Sequence, residues 1–187
     1  MALLAQRIFE GTERAQRDSR ERDGALHEEG GLKMRSLFGT VEAFGPWTAH
    51  IQAMDQAIAE NAPGEGVRAW RQAYSAALSH PGWLGLLTVA AASLRLGHFP
   101  GLARGAGARA RETYWIAFFR ARQQHSLNGV LHAAEAFGML GDQATVEQCV
   151  RVAEGLASQT GDVEEVNRVR RVASRLAERT EERTGAI

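Results

Sequence analysis

Arginine is the one chemistry-bearing residue type that this chain concentrates. Between Gly66 and Glu135 stand Arg68, Arg71, Arg95, Arg104, Arg109, Arg111, Arg120 and Arg122, against Glu112 alone. The whole chain balances 22 basic with 22 acidic residues, and every base except Lys33 is an arginine. A guanidinium donates two parallel hydrogen bonds to a carboxylate or phosphate, so a local excess fits recognition of anionic groups. Arg95, Arg104, Arg109, Arg111 and Arg120 are therefore candidate partner-binding residues, of which Arg104, Arg109 and Arg111 should stay exposed. The plainer reading is that such arginines solvate outer helix faces and pair with acids from elsewhere.

Tyr114 and Trp115 join the candidates through YWIAFF, residues 114 to 119. Large groups spread over more than one turn mean a helix buried on several sides, or one with a face covered by a partner. Core packing accounts for the run; a homodimer contact through Tyr114 and Trp115 is the functional alternative.

The remaining groups point to no reaction. His27, His50, His80, His98, His125 and His132 form no HExxH motif, and no Glu-x-x-His pair is present. His132 and Glu135 share one side of a helix but could hold a metal only with donors from other helices. GLARGAG (101 to 107) lacks the Lys-Ser/Thr of a phosphate loop and follows no strand, so it reads as a flexible basic connection. Cys149 is the single cysteine, which excludes an internal disulfide, and its place on an apolar helix side marks a small buried hydrophobe. No catalytic, metal-binding or cofactor-binding set is expected.

The elements that must position these residues are helical. Three- and four-residue apolar spacings recur, while sustained alternation is missing. At 187 residues and 44% hydrophobic content, the chain suits one domain with a sizeable core. Its zero net charge gives no bulk attraction to nucleic acid or membrane. MALLAQRIFEGTERAQ lacks a basic start followed by an apolar run, and WLGLLTVAAASL (83 to 94) is too short to span a bilayer, so a soluble cytoplasmic protein is expected.

Residues 1–32 read as a charged helix or partly disordered extension, 33–180 as an all-helical domain and 181–187 as a frayed end. Short apolar-spaced pieces run from Met34 to Phe44 and from Trp47 to Ile58. NAPGEG (61 to 66) breaks the chain. Helices follow from Val67 to before Pro81, from Leu84 to Gly97, from about Ala108 to Gln124 and from Leu127 to Leu140. Two more run from Thr145 to Ser158 and onward from Asp162. Short connections make successive helices antiparallel neighbours.

LGLLTVAAASLRLG (84 to 97) and NGVLHAAEAFGMLG (128 to 141) align without gaps at a separation of 44 residues. Each carries a small-residue patch, Ala90-Ala91-Ala92 or Ala133-Ala134 with Ala136, and then a Leu-Gly ending suited to a left-handed helix cap. Asp142 and Asp162 sit where an acid opposes the positive end of the next helix.

Over about residues 67–178 this arrangement resembles the tetratricopeptide-repeat-like helical hairpin superfamily. Ala133, Ala134, Phe137, Gly141 and Asp142 match its first helix and corner. Val146, Val150 and Ala153 match its second helix, and Pro81 resembles a repeat-closing proline. The 44-residue spacing, the lack of an aromatic near residue 130 and Val146 in place of alanine depart from the pattern. The resemblance implies antiparallel hairpins stacked as a short solenoid, with a compact helical bundle as the alternative. It also implies a scaffold or adaptor that recognises an acidic peptide or protein surface. Two other readings stand beside it: a helical enzyme or small-ligand-binding bundle with a site assembled from distant helices, and a structural subunit of an oligomer.

Overall fold

Capping chemistry cuts the chain into helices at nearly every place where the sequence signals it. A computed structural model describes residues 45–185, and every regular element there is helical. In order these are α1 (Thr48–Ala59), α2 (Pro63–Ser79), α3 (Leu84–Arg95), a 3-10 turn (Leu96–His98), α4 (Ala103–Gln123), α5 (Leu127–Met139), α6 (Gln143–Thr160) and α7 (Val163–Gly185). The charged segment 1–32 and the Met34 to Phe44 piece lie outside the described residues.

Pro63 opens α2, where its missing N–H costs nothing. Pro81 closes the same helix by holding His80 extended, at ψ 135°. Ser126 caps α5 by accepting from the Gly129 N–H at 3.1 Å. The two Gly-Asp corners behave alike. Gly141 and Gly161 take left-handed φ values of 74° and 68°. Asp142 then accepts from the Thr145 N–H at 3.4 Å, and Asp162 from the Glu164 N–H at 2.8 Å.

Three expectations about boundaries fail. α2 starts at Pro63, inside NAPGEG, four residues before the expected Val67. Gly97 does not form a left-handed cap; it continues into the 3-10 turn, so the segments 84–97 and 128–141 end differently. GLARGAG is no flexible connection beyond its first residues, because α4 already starts at Ala103. Ala106 is buried there, and that packing outweighs the helix-weakening effect of Gly105 and Gly107.

The stacked-solenoid expectation is corrected by the pattern of helix contacts. Besides packing on its chain neighbours, α1 packs on α3, α3 on α5 and α5 on α7. The helices therefore close into a compact packed bundle and do not extend as a linear tetratricopeptide-like array of hairpins. Small residues explain the closure. Ala90 and Ala92 on α3, and Ala133, Ala134 and Ala136 on α5, are all buried, which brings helix axes close on several sides at once. Gly129 shows the tightest approach: a Cβ there would stand 2.6 Å from the Ala121 Cβ and 2.7 Å from the Trp83 ring.

α3 is the most enclosed element, with Leu86, Leu87, Val89 and Ala90 wholly buried among α1, α2, α4 and α5. Its polar groups are satisfied inside the core. The Trp70 indole N–H donates to the Val89 carbonyl at 3.1 Å. The Ser93 hydroxyl reaches the carbonyls of Ala90 at 2.8 Å and Ala106 at 3.3 Å, tying α3 to α4. Among the described residues, no helix is long and apolar enough to cross a membrane.

Candidate functional site

Three of the arginines singled out by density, Arg95, Arg111 and Arg120, have structural work. Arg95 binds Asp55 of α1 in bidentate fashion, at 2.8 and 3.0 Å. Arg111 donates to Asp142 at 3.1 Å, linking α4 to the corner before α6. Burial opposes ionisation of that carboxyl, but hydrogen bonds from Thr145 and Arg111 hold its pKa below the ordinary value. Arg120 clamps the open end of α2: its fork donates to the carbonyls of Ala77, Leu78, His80 and Gly82. Gln124 adds a bond to the Pro81 carbonyl at 2.7 Å.

Arg109 is half-buried, with its guanidinium carbon 5.8 Å from the centre of the Trp70 ring. Of the three arginines expected to be exposed, Arg104 and Arg111 are, and Arg109 is not fully so.

The two aromatic candidates part company. Tyr114 is wholly buried, edge-on to Phe137, and burial pushes its phenol well above the usual 10.0. It is core. Trp115 is half-buried, stacked on Phe119 at 5.5 Å and tilted against Phe137 at 5.1 Å. Cys149 is also core, with burial first and the Asp142 charge second pushing its thiol up to about 12. A thiol so held stays protonated near neutral pH and is a poor nucleophile.

The side chains that converge on a recess come from α5 and α7. A groove of about 640 Å³ runs between these helices over a floor that includes Leu131 and Val172. Arg168, Arg170, Arg171 and Arg175 line its α7 wall, and His132 and Glu135 its α5 wall. Helical geometry produces this grouping. Positions 168, 171 and 175 are i, i+3 and i+7, one stripe of α7, while 132 and 135 are one stripe of α5. Buried Val169, Val172 and Leu176 seat α7 and so turn the arginine stripe toward the groove.

The groove's electrostatics follow from burial and from the arginines. Glu135 accepts from Arg175 at 3.2 Å. Even so its pKa is raised, because burial outweighs the attraction of Arg175, Arg179 and Arg168. His132 is shifted down, by burial first and by the Arg168 charge second, against a backbone hydrogen bond at Asn128. Its ring stacks on Trp83 at 5.7 Å. Near neutral pH the groove therefore presents a neutral imidazole and the Glu135 carboxyl on one wall and four arginines on the other. Among the described residues no group of three or more His, Cys, Asp or Glu side chains could hold a metal ion.

A second recess of about 310 Å³ adjoins the first through Arg168 and is lined by His125, Ser126, Asn128, Gln159 and Thr160 among others.

The arginine count points to the middle of the chain, whereas α7 shows first its apolar register. VNRVRRVASRLA, residues 166 to 177, nonetheless carries four arginines and no acid. That acid-free basic stripe was the signal to find. Comparison of the chain with protein-family models, with curated proteins and with solved structures gives no match.

Proposed function

We propose that this protein is a recognition module whose α5–α7 groove holds an acidic segment of a partner protein. The observation that supports this reading is four arginines around one groove in which, among the described residues, the only lining carboxylate is Glu135, already partnered by Arg175. Arg168, Arg171 and Arg175 rise along α7 by roughly 4.5 and 6 Å, the spacing with which acids at i, i+3 and i+7 of a second helix repeat. Bidentate pairing sets register and sign, while Leu131 and Val172 offer apolar contact. This is recognition without bond chemistry. The contact region thereby moves from Arg95 of α3 and the arginines of α4 to those of α7.

Fluorescence anisotropy of a labelled helical peptide with glutamates at i, i+3 and i+7 tests the proposal. Arg168→Glu with Arg171→Glu should weaken binding at least about tenfold, and rising salt should weaken it for the native protein. Arg68→Glu with Arg71→Glu, on the outer side of α2, should not. Equal loss in both double variants would reduce the effect to net charge and remove the groove from the proposal.

A second reading, a small-anion or enzymatic site, draws on His132 and Glu135 opening onto the same recess. Its signature is competition: pyrophosphate at micromolar concentration would displace the peptide if the groove is built for compact anions.

A further inference from the structure

The outer face of α4 carries a stripe that the bundle leaves uncovered. Glu112, Trp115, Phe119 and Arg122 stand at i, i+3, i+7 and i+10, so they form one seam along the helix. Glu112 and Arg122 are exposed, Trp115 is half-buried, and Phe119 is 49% exposed, a high value for so large an apolar group. The two rings are not loose. Trp115 stacks on Phe119 with an interplanar angle of 26° and leans on Phe118 and Phe137 beneath. The seam is a preformed apolar plate on a rigid helix, with one charge of each sign at its two ends. Among the described residues neither Glu112 nor Arg122 makes an ion pair.

The order along the seam is symmetric about Ala117. Trp115 and Phe119 lie two residues to either side of it, and Glu112 and Arg122 lie five to either side. A twofold axis through that point would lay α4 antiparallel on α4 of another copy. Trp115 then meets Phe119 of the partner copy, and Glu112 meets Arg122 of the partner copy, each contact occurring twice. Arg111 falls opposite Gln123 of the partner copy, so no like charges meet; its own guanidinium is occupied by Asp142. A parallel alignment would instead put Glu112 on Glu112 and Arg122 on Arg122. Both the apolar and the charged pairs thus select one orientation and one register.

We infer that the outer face of α4 is a self-association surface, on which two copies of this chain pair antiparallel about Ala117. The contact is independent of the α5–α7 groove. One helix face on each side is a small interface, so the dimer is a weak one that forms with rising concentration. The dimer contact expected at Tyr114 and Trp115 becomes one at Trp115 and Phe119, since Tyr114 is core.

Sedimentation velocity of the full chain over a wide concentration range tests this, with four variants. The native protein should pass from monomer to dimer. Phe119→Asp should abolish the shift. Glu112→Arg or Arg122→Glu alone turns both end pairs repulsive and should weaken dimerisation about tenfold. The double variant Glu112→Arg with Arg122→Glu restores opposite charges and should regain the native behaviour. Mixing the two single variants in equal amounts should also restore association. One chain then carries a positive charge at both ends of its seam and the other a negative charge at both, so every end pair between them is opposite in sign. All the substituted positions face solvent at least in part, and unchanged circular dichroism confirms that the fold is kept. A native chain that stays monomeric throughout overturns the inference. So does a dimer that persists in Phe119→Asp, or single reversals whose mixture associates no better than either alone.

Discussion

Replacing Arg120 by methionine should destabilise the bundle, although α4 would keep its length and its apolar face. The guanidinium fork reaches the last carbonyls of α2 and the turn beyond, with the bond to Leu78 at 2.7 Å and longer ones to Ala77 and Gly82 at 3.3 and 3.4 Å. Together with the His80 contact, two of these count as good charge-assisted bonds. Each contributes about 1 kcal/mol net once its partial exposure is allowed for. Attraction between the cation and the negative end of the α2 dipole adds about 0.5 kcal/mol. The carbonyls left behind must find water beside the His80–Pro81 turn. The sum is about 2–3 kcal/mol, which for a region of this size lowers the melting temperature by roughly 6–10 °C. Arg120→Lys keeps the charge but loses the fork, and should forfeit about half of that. Arg104→Met, at an exposed site of the same helix, should stay within about 0.5 kcal/mol of the native protein. Urea titration and thermal melting followed by circular dichroism measure all three. If Arg120→Met and Arg104→Met melt together, the helix-end clamp contributes nothing and the reasoning fails.

The remaining expectations use the same fold. Burial holds His132 below its ordinary value of 6.5, so the unfolded chain takes up that proton first as pH falls. Stability from this group is therefore full above pH 6.5 and declines below it, and His132→Gln should flatten that part of a stability–pH curve. Glu135 has the opposite sign, because its carboxyl is raised above 4.5 in the folded state; its ionisation costs stability near neutral pH, and acidification through its pKa recovers it. Gly129→Ala should cost about 1–3 kcal/mol by overpacking against Ala121 and Trp83. Gly155→Ala, which meets nothing within 4 Å on α6, should instead gain roughly 0.5–1 kcal/mol in a urea titration. A Gly129→Ala protein as stable as Gly155→Ala would contradict the close α4–α5 approach.

The residues show which features a linear reading reaches. Helix boundaries at Pro81, Leu127, Gly141-Asp142 and Asp162 depend on backbone chemistry within a few residues, and were legible for that reason; the start of α2 at Pro63 was not, since NAPGEG reads as a break up to Val67. Cys149 and Ala153 were readable as one side of α6 because a helix repeats every 3.6 residues. The start of α4 was not legible, since burial of Ala106 by its neighbours decides it against two glycines. The roles of the arginines were still less so. Arg95 finds Asp55 forty residues away, Arg111 finds Asp142 thirty-one residues away, and Arg120 finds the end of α2. A count of arginines cannot tell a free guanidinium from one already bound.

By itself, then, the amino-acid order determined the all-helical class, the turns and the apolar stripe of each helix, because these follow from local propensity and short periodicity. The tertiary structure decided which stripes meet. Small alanine faces permit close packing on any neighbour, so the closure of α1 on α3, α3 on α5 and α5 on α7 into a bundle was not encoded in any one segment. That closure engaged Arg95, Arg111 and Arg120, buried Tyr114, and brought His132 and Glu135 of α5 beside the arginine stripe of α7. Sites assembled from distant helices exist only after packing has chosen the partners.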